Sequence, residues 1–96
     1  GGTGLSPRDV TPEATEPLLA TRIDGLAEAI RRRGEENVAS AALSRGLVGV
    51  TARSDAGTLV VNAPGSRGGV TDVVAVIGPL VAHIIDQLAD GDHPRA

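Results

Sequence analysis

The sequence predicts a small α/β domain, and three observations carry that expectation. A glycine-rich loop, Gly1-Gly2-Thr3-Gly4, leads within a few residues into a clear helix start. Two apolar stretches, 47–52 and 58–62, have the length and β-branched content of strands. A second glycine-rich loop, 63–69, follows the second of these stretches and again opens a helix.

Ninety-six residues make one domain at most. Phe, Tyr, Trp, Met and Cys are all absent, so the core must be built from Val, Leu, Ile and Ala. The absence of cysteine excludes disulfides, thiolate metal sites and cysteine nucleophiles. Every basic residue is Arg, a composition expected of a GC-rich bacterial genome. Nine Arg against twelve acids leave a net charge of −3, which argues against a nucleic-acid partner. No apolar run approaches a membrane span in this reading and no signal peptide is visible, so a cytoplasmic location without a membrane partner is expected. The chain opens on a loop of the kind that follows a β-strand. It is therefore expected to be the C-terminal part of a longer protein.

In chain order, Thr11 is expected as an N-cap, with Pro12 at the first helical position and Glu13 in the first turn. The helix is expected to run from Pro12 to Ile23, burying Leu18, Leu19 and Ile23 and breaking at Pro17. Asp24 should cap a second helix that places Leu26 and Ile30 on one face. That helix ends in Arg31, Arg32 and Arg33, read as a solvated terminus, with Gly34 as the stop. Strands follow over 47–52 and 58–62, forming a hairpin around the turn 53–57, with the second strand buried on both faces. Helices over 70–77 and 79–89, separated at Gly78-Pro79, share an apolar face that includes Val73, Val74, Ile77, Leu80, Val81, Ile84, Ile85 and Leu88. The tail 90–96 should fray. His83 is expected to be packed or partly exposed and not catalytic, and His93 lies in the tail.

Three segments combine glycine with hydroxyl or amide groups: Gly1 to Asp9, Ser44-Arg45-Gly46, and Asn62 with Gly65-Ser66-Arg67. If the strands are parallel neighbours, the loops after them converge on one sheet edge. A pocket for a phosphorylated ligand would then be lined by backbone amides, Thr3, Ser6, Ser44, Asn62 and Ser66. Arg8 would supply positive charge, and Asp9 could bind Mg²⁺. On residue chemistry alone the same residues are equally ordinary turn residues, with Asp9 making an Asx-turn to the Thr11 amide. Gly2-Thr3-Gly4 lacks the further glycine of a dinucleotide fingerprint, and no P-loop is present.

Gly1 to Gly4, followed after a short spacer by Arg8-Asp9-Val10-Thr11-Pro12-Glu13-Ala14, resembles the signature of the molybdenum-cofactor biosynthesis proteins of the Mog/MoaB type, the family that includes the gephyrin G domain. The resemblance extends through most of the chain. Leu43-Ser44-Arg45-Gly46 is similar to the family's Leu-Ser-Arg segment, and Leu59 to Gly65 to its strand ending Asn-x-Pro-Gly. Ala63 departs from the usual Leu or Met, the turn 53–57 is longer than usual, and Asp92-His93 resembles the ending of bacterial members.

The resemblance implies a three-layer α/β/α molybdopterin-binding domain with a mostly parallel sheet. Residues 1–96 would be its C-terminal part, lacking an upstream strand-helix-strand region, and the assembly would be a homotrimer. It implies a molybdopterin adenylyltransferase, which uses molybdopterin and Mg-ATP to make adenylylated molybdopterin and pyrophosphate. Asp9 would be the essential acid, acting through Mg²⁺ or through substrate orientation. Molybdopterin and its phosphate would meet Gly1, Gly2, Thr3, Gly4, Ser6, Ser44, Asn62, Pro64, Gly65 and Ser66. A second essential aspartate of the family lies upstream of Gly1, so residues 1–96 alone should be inactive. The alternatives are a MoaB-like pterin-binding protein with little or no catalysis, and an oligomerisation or scaffold module.

Overall fold

A computed structural model describes residues 1–89; the tail expected to fray, with His93, lies outside the described residues. The elements are α1 (Thr11–Thr15), β1 (Thr21–Arg22), α2 (Asp24–Glu35), β2 (Val48–Val50), β3 (Leu59–Val61), α3 (Arg67–Ile77) and α4 (Val81–Ala89). Short 3₁₀ turns occupy Glu16–Leu18, Ala39–Leu43 and Gly78–Leu80.

The first helix is much shorter than its expected span of 12–23. Pro17 has no amide to continue the ladder, so the chain tightens into a 3₁₀ turn and leaves as β1. Leu18 is consequently exposed. Two expected caps are also corrected. Val10 holds the cap position of α1, and the Thr11 hydroxyl donates to Gly1 O at 2.7 Å. Ile23 precedes α2, and Asp24 is its first residue, accepting from Arg22 Nε at 3.0 Å. At α3 a side-chain cap does form, with Ser66 Oγ accepting from the Gly69 amide at 3.0 Å. The helix accordingly starts at Arg67, ahead of the expected Val70.

The strands form one sheet in the order β1-β2-β3, and both pairings are antiparallel. The expected hairpin is present, with Val48 opposite Val61 and Val50 opposite Leu59. The expected mostly parallel sheet is not what these strands make. A short turn can join only antiparallel neighbours, which settles β2 and β3. Between β1 and β2, the segment after α2 packs back along that helix. It returns the chain to the end of β1, where the Ile23 amide donates to Val48 O at 2.7 Å. β3 pairs on one side only among the described strands, so it is half-buried along its length and not buried on both faces.

Val48, only 2% exposed, centres the core together with Ala27 and Ile30 of α2 and Ile77 of α3. Burying an aliphatic side chain of this size contributes roughly 1.5–3 kcal/mol, and with no aromatics the core is a thin aliphatic layer between α2, α3 and the sheet. Ile77 and, in part, Val73 and Val81 of the expected apolar face reach it. Val74, Leu80 and Ile85, expected on that same face, are exposed instead, as is Val70. The expectation that no apolar run is long enough to span a membrane also fails. Arg67–Ala89 is a 23-residue helical run whose most apolar 18-residue stretch has a mean hydropathy of 1.8, sufficient by length and composition alone.

The opposite side of β2 is closed by the backbone of β1 and by Leu19. A Cβ placed on Gly49 would stand 2.5 Å from Thr21 O and 2.8 Å from Leu19 Cδ1. We therefore expect Gly49→Ala to destabilise the fold by about 1–3 kcal/mol, because β1 must shift to admit a methyl group. Urea unfolding of the two proteins measures this, and an unchanged midpoint would mean that β1 yields without cost.

Candidate functional site

The three glycine-and-hydroxyl segments do meet, although the strands are antiparallel, because backbone hydrogen bonds stitch them directly. The Gly1 nitrogen donates to Ala63 O at 2.9 Å, and the Arg45 amide donates to Thr3 O at 2.7 Å. The Thr11 amide and hydroxyl close the loop on Gly2 O (3.1 Å) and Gly1 O (2.7 Å). Gly2 sits at φ +72°, a left-handed conformation that glycine adopts without steric cost. This turn aims Thr3 inward, where it is 5% exposed.

Beside the junction lies a cavity of about 420 Å³. Of the sequence-derived site residues, Thr3, Gly4, Ser44, Pro64 and Ser66 line it. Ser44 Oγ donates to Thr3 Oγ1 at 3.4 Å and accepts from the Gly46 amide at 3.3 Å, both long contacts, so each hydroxyl oxygen keeps a lone pair for a ligand. The Ser66 hydroxyl is shared with the cap of α3, and the first turn of that helix adds Gly68 and Gly69 to the wall.

The other expected residues stand outside the cavity lining. Asn62 is engaged within the protein: its Oδ1 accepts from the Leu47 amide at 3.1 Å and its Nδ2 donates to Thr15 Oγ1 at 3.0 Å. Its observed role is to fasten the end of β3 to α1 and to the start of β2. Gly1 and Gly65 pack against one another, with Gly1 Cα 3.3 Å from where a Gly65 Cβ would lie. Ser6 turns the loop, accepting the Arg8 amide on its hydroxyl and the Asp9 amide on its carbonyl. The Thr11 amide goes to Gly2 O, so the alternative Asx-turn from Asp9 is not made. The Asp9 carboxylate lies over Gly4, whose Cβ, if present, would stand 2.7 Å from Asp9 Oδ2. Asp9 is thus adjacent to the cavity wall through Gly4.

Sequence reasoning missed two charged residues of the wall. Arg31 was read as part of a solvated helix end, yet it is half-buried, lines the cavity and reaches Ser44 O and Gly46 O at 3.4 Å each. Asp72 went unremarked within an apolar helix. It lines the cavity and pairs with Arg33 at 3.4 Å, its side chain only 14% exposed. An acid placed among Val70, Val73 and Val74 was the available signal for Asp72. His83 is exposed on α4, with its Nε2 3.1 Å from Gln87 Nε2, and so is not packed into the core.

Arg45 is not a free anion-binding cation. Its Nε donates to Gly4 O at 2.8 Å, its Nη2 to Asp9 O at 2.7 Å, and its Nη1 to Glu13 Oε2 at 2.5 Å. The Arg45 hydrogen bond holds the Glu13 carboxyl below the usual carboxylate range, and Glu13 in turn raises Arg45. Among the described residues no three His, Asp or Glu side chains cluster as a metal cage. With Glu13 committed to Arg45, this part of the site offers a metal the single carboxylate of Asp9. That fits Mg²⁺, which binds through one or two carboxylates together with substrate phosphates.

A depressed carboxyl pKa in the folded state gives stability that is present above the unfolded pKa and lost as pH falls through the folded one. Wild type and Glu13→Gln should therefore differ in stability at neutral pH and converge as acid protonates Glu13. Denaturant midpoints measured from neutral to acidic pH test this, and parallel curves would dismiss the linkage.

Residues 1–83 match the family described as "Probable molybdopterin binding domain". The chain is 40% identical over 90 residues to the molybdenum cofactor synthesis protein cinnamon of Drosophila melanogaster, covering 94% of this chain and 14% of that protein. It is 33% identical over 86 residues to a molybdopterin adenylyltransferase of Helicobacter pylori, covering 90% of this chain and 47% of that protein. In three dimensions it is similar to the molybdopterin biosynthesis Mog protein from Mycobacterium ulcerans, with a TM-score of 0.85 and 50% identity over 93% of this chain and 56% of that one. The chain thus spans about half the length, or less, of the proteins it matches.

Proposed function

The chain belongs to the probable molybdopterin binding domain family, and from that premise we propose that it binds molybdopterin and takes part in transferring AMP to it from ATP. One observation carries the reading: loops distant in sequence converge to place two hydroxyls, Thr3 and Ser44, on a cavity walled by glycine backbone and by Pro64. At about 420 Å³ the cavity is of the size that encloses a small organic ligand. Thr3 and Ser44 would hold the pterin and its phosphate by hydrogen bonds, with Gly2, Gly4 and Gly65 permitting close backbone approach.

In the proposed reaction an oxygen of the molybdopterin phosphate attacks the α-phosphorus of ATP in line. A new P–O bond forms as the bond to pyrophosphate breaks, giving adenylylated molybdopterin and pyrophosphate. Such a transfer needs positioning and charge stabilisation and no protein nucleophile. This chain's part is to fix the phosphate end of the pterin beside Asp9. Asp9 would hold Mg²⁺, which when bound neutralises phosphate charge. The working assembly we propose is a cytoplasmic homotrimer.

Asp9→Asn removes charge but little shape. In the full-length protein we expect it to fold and bind molybdopterin as before while pterin-dependent pyrophosphate release falls about 10²-fold or more. Equal release by the mutant would take Asp9 out of the mechanism. No release from wild type despite measurable pterin binding would point to a pterin-binding relative without catalysis.

A further inference from the structure

Arg45 accepts no cavity-facing task, yet its guanidinium spends every observed hydrogen bond on one object, the segment from Gly4 to Glu13. Nε holds the Gly4 carbonyl, Nη2 holds the Asp9 carbonyl, and Nη1 with Nη2 grips both oxygens of Glu13. The amide of the same residue holds Thr3 O. Gly4 and Asp9 are the two residues whose opposite sides meet, since the Asp9 carboxylate lies against the Gly4 Cα. We propose that Arg45, braced by Glu13, is a positioning residue that sets where the Asp9 carboxylate stands relative to the cavity.

Two features argue that its effect is on position and not mainly on stability. The ion pair is partly open to solvent, with 32% of the Arg45 side chain and 58% of the Glu13 side chain exposed, and pairs of that kind contribute little to folding. Its other acceptors are backbone carbonyls at the two ends of a loop whose own hydrogen bonds are short-range: Asp9 N to Ser6 O, and Arg8 N to Ser6 Oγ. Without the guanidinium, nothing else among the described residues hydrogen-bonds the Asp9 carbonyl. A lysine cannot substitute, because an ammonium on a flexible stem does not present the planar fork that reaches two carbonyls and a carboxylate at once. Glu13 serves as the outer brace, fixing the plane of that fork by a two-oxygen grip.

This inference rests on the proposed role of Asp9, and its test separates the two. The full-length protein is compared with Arg45→Lys and Arg45→Ala, each also made in the Asp9→Asn background. The first readout needs no activity. Amide hydrogen exchange at Asp9 and Thr11, whose amides close the loop on Ser6 O and Gly2 O, should accelerate about tenfold or more in both Arg45 variants. Exchange along β2 should stay as in wild type, which also shows that the variants are folded. The second readout is pterin-dependent pyrophosphate release with Mg-ATP. We expect kcat to fall on the order of tenfold to a hundredfold at nearly unchanged KM for molybdopterin, as misplacement of a reacting group does. In the Asp9→Asn background the same Arg45 changes should cost less than about twofold, because there is no longer a carboxylate to position.

Unchanged exchange at Asp9 and Thr11 overturns the proposal. So does an equal fractional loss of turnover in both backgrounds, which would mean that Arg45 acts by a route independent of Asp9. Should Asp9→Asn turn over like wild type, the catalytic reading of Asp9 falls, and with it the functional half of the proposal. The exchange result then still decides whether Arg45 orders the loop.

Discussion

The loop from Gly1 to Asp9 has almost no hydrophobic anchorage, and the site exists because backbone polar groups elsewhere accept and donate to it. Leu5 is exposed, as is Val10, so apolar burial does not hold this loop down. In its place are the Thr3 carbonyl taken by the Arg45 amide, the Gly4 and Asp9 carbonyls taken by the Arg45 guanidinium, and the Gly1 and Gly2 carbonyls taken by Thr11. A neutral hydrogen bond among these contributes only about 0.5–1.5 kcal/mol net, and one from the charged guanidinium contributes more. Their value here is geometric. Each fixes a direction, and in the loop they hold, the Thr3 hydroxyl lies toward Ser44.

That polar scaffold stands on a small aliphatic core, and the dependence runs one way. β2 carries Val48 into the core through one face and presents Gly49 to Leu19 through the other. One residue further back, Leu47 gives its amide to Asn62. The start of β2 therefore connects the apolar interior to the polar junction within three residues. Asn62 completes the connection by reaching Thr15 at the end of α1, so the helix that follows the loop and the strand that precedes the second loop are held to the same point. An amide suits this position because it must donate and accept at once, which neither Asp nor Leu can do.

How much of this was legible in the sequence differs by the range of the interaction. Helix and hairpin existence and the break at Gly78-Pro79 were readable, since glycine, proline and apolar period act locally. The three glycine segments, by contrast, meet through long-range backbone hydrogen bonds and not through the parallel strands expected to bring them together. Strand direction was not readable, because it depends on the path taken between Ile23 and Leu47, where the segment after α2 doubles back. The caps at Thr11 and Asp24 were misplaced by one residue because each side chain took another partner, Gly1 O ten residues back for Thr11 and Arg22, two residues back, for Asp24. Among the cavity-lining residues, Thr3, Gly4, Ser44, Pro64 and Ser66 were named from their motifs. Arg31 and Asp72 were not, since a charged residue on a helix reads as solvated until the packing of α2 on α3 is known.

The same reasoning bears on what a motif conveys. Asn62 and Arg45 belong to stretches that were legible as motifs, and each invited a ligand-binding reading by residue type. The structure gives both side chains internal partners. An anion-binding arginine must present its donors to the cavity, whereas Arg45 points its donors at Gly4, Asp9 and Glu13. A motif thus marks residues that a geometry requires, and only the partners divide those that touch the ligand from those that hold the first set in place. Among these residues, Thr3 and Ser44 have hydroxyls left for a ligand, while Arg45 and Asn62 have committed theirs. Thr3 and Ser44 line the cavity, while Arg45 and Asn62 hold the segments around it.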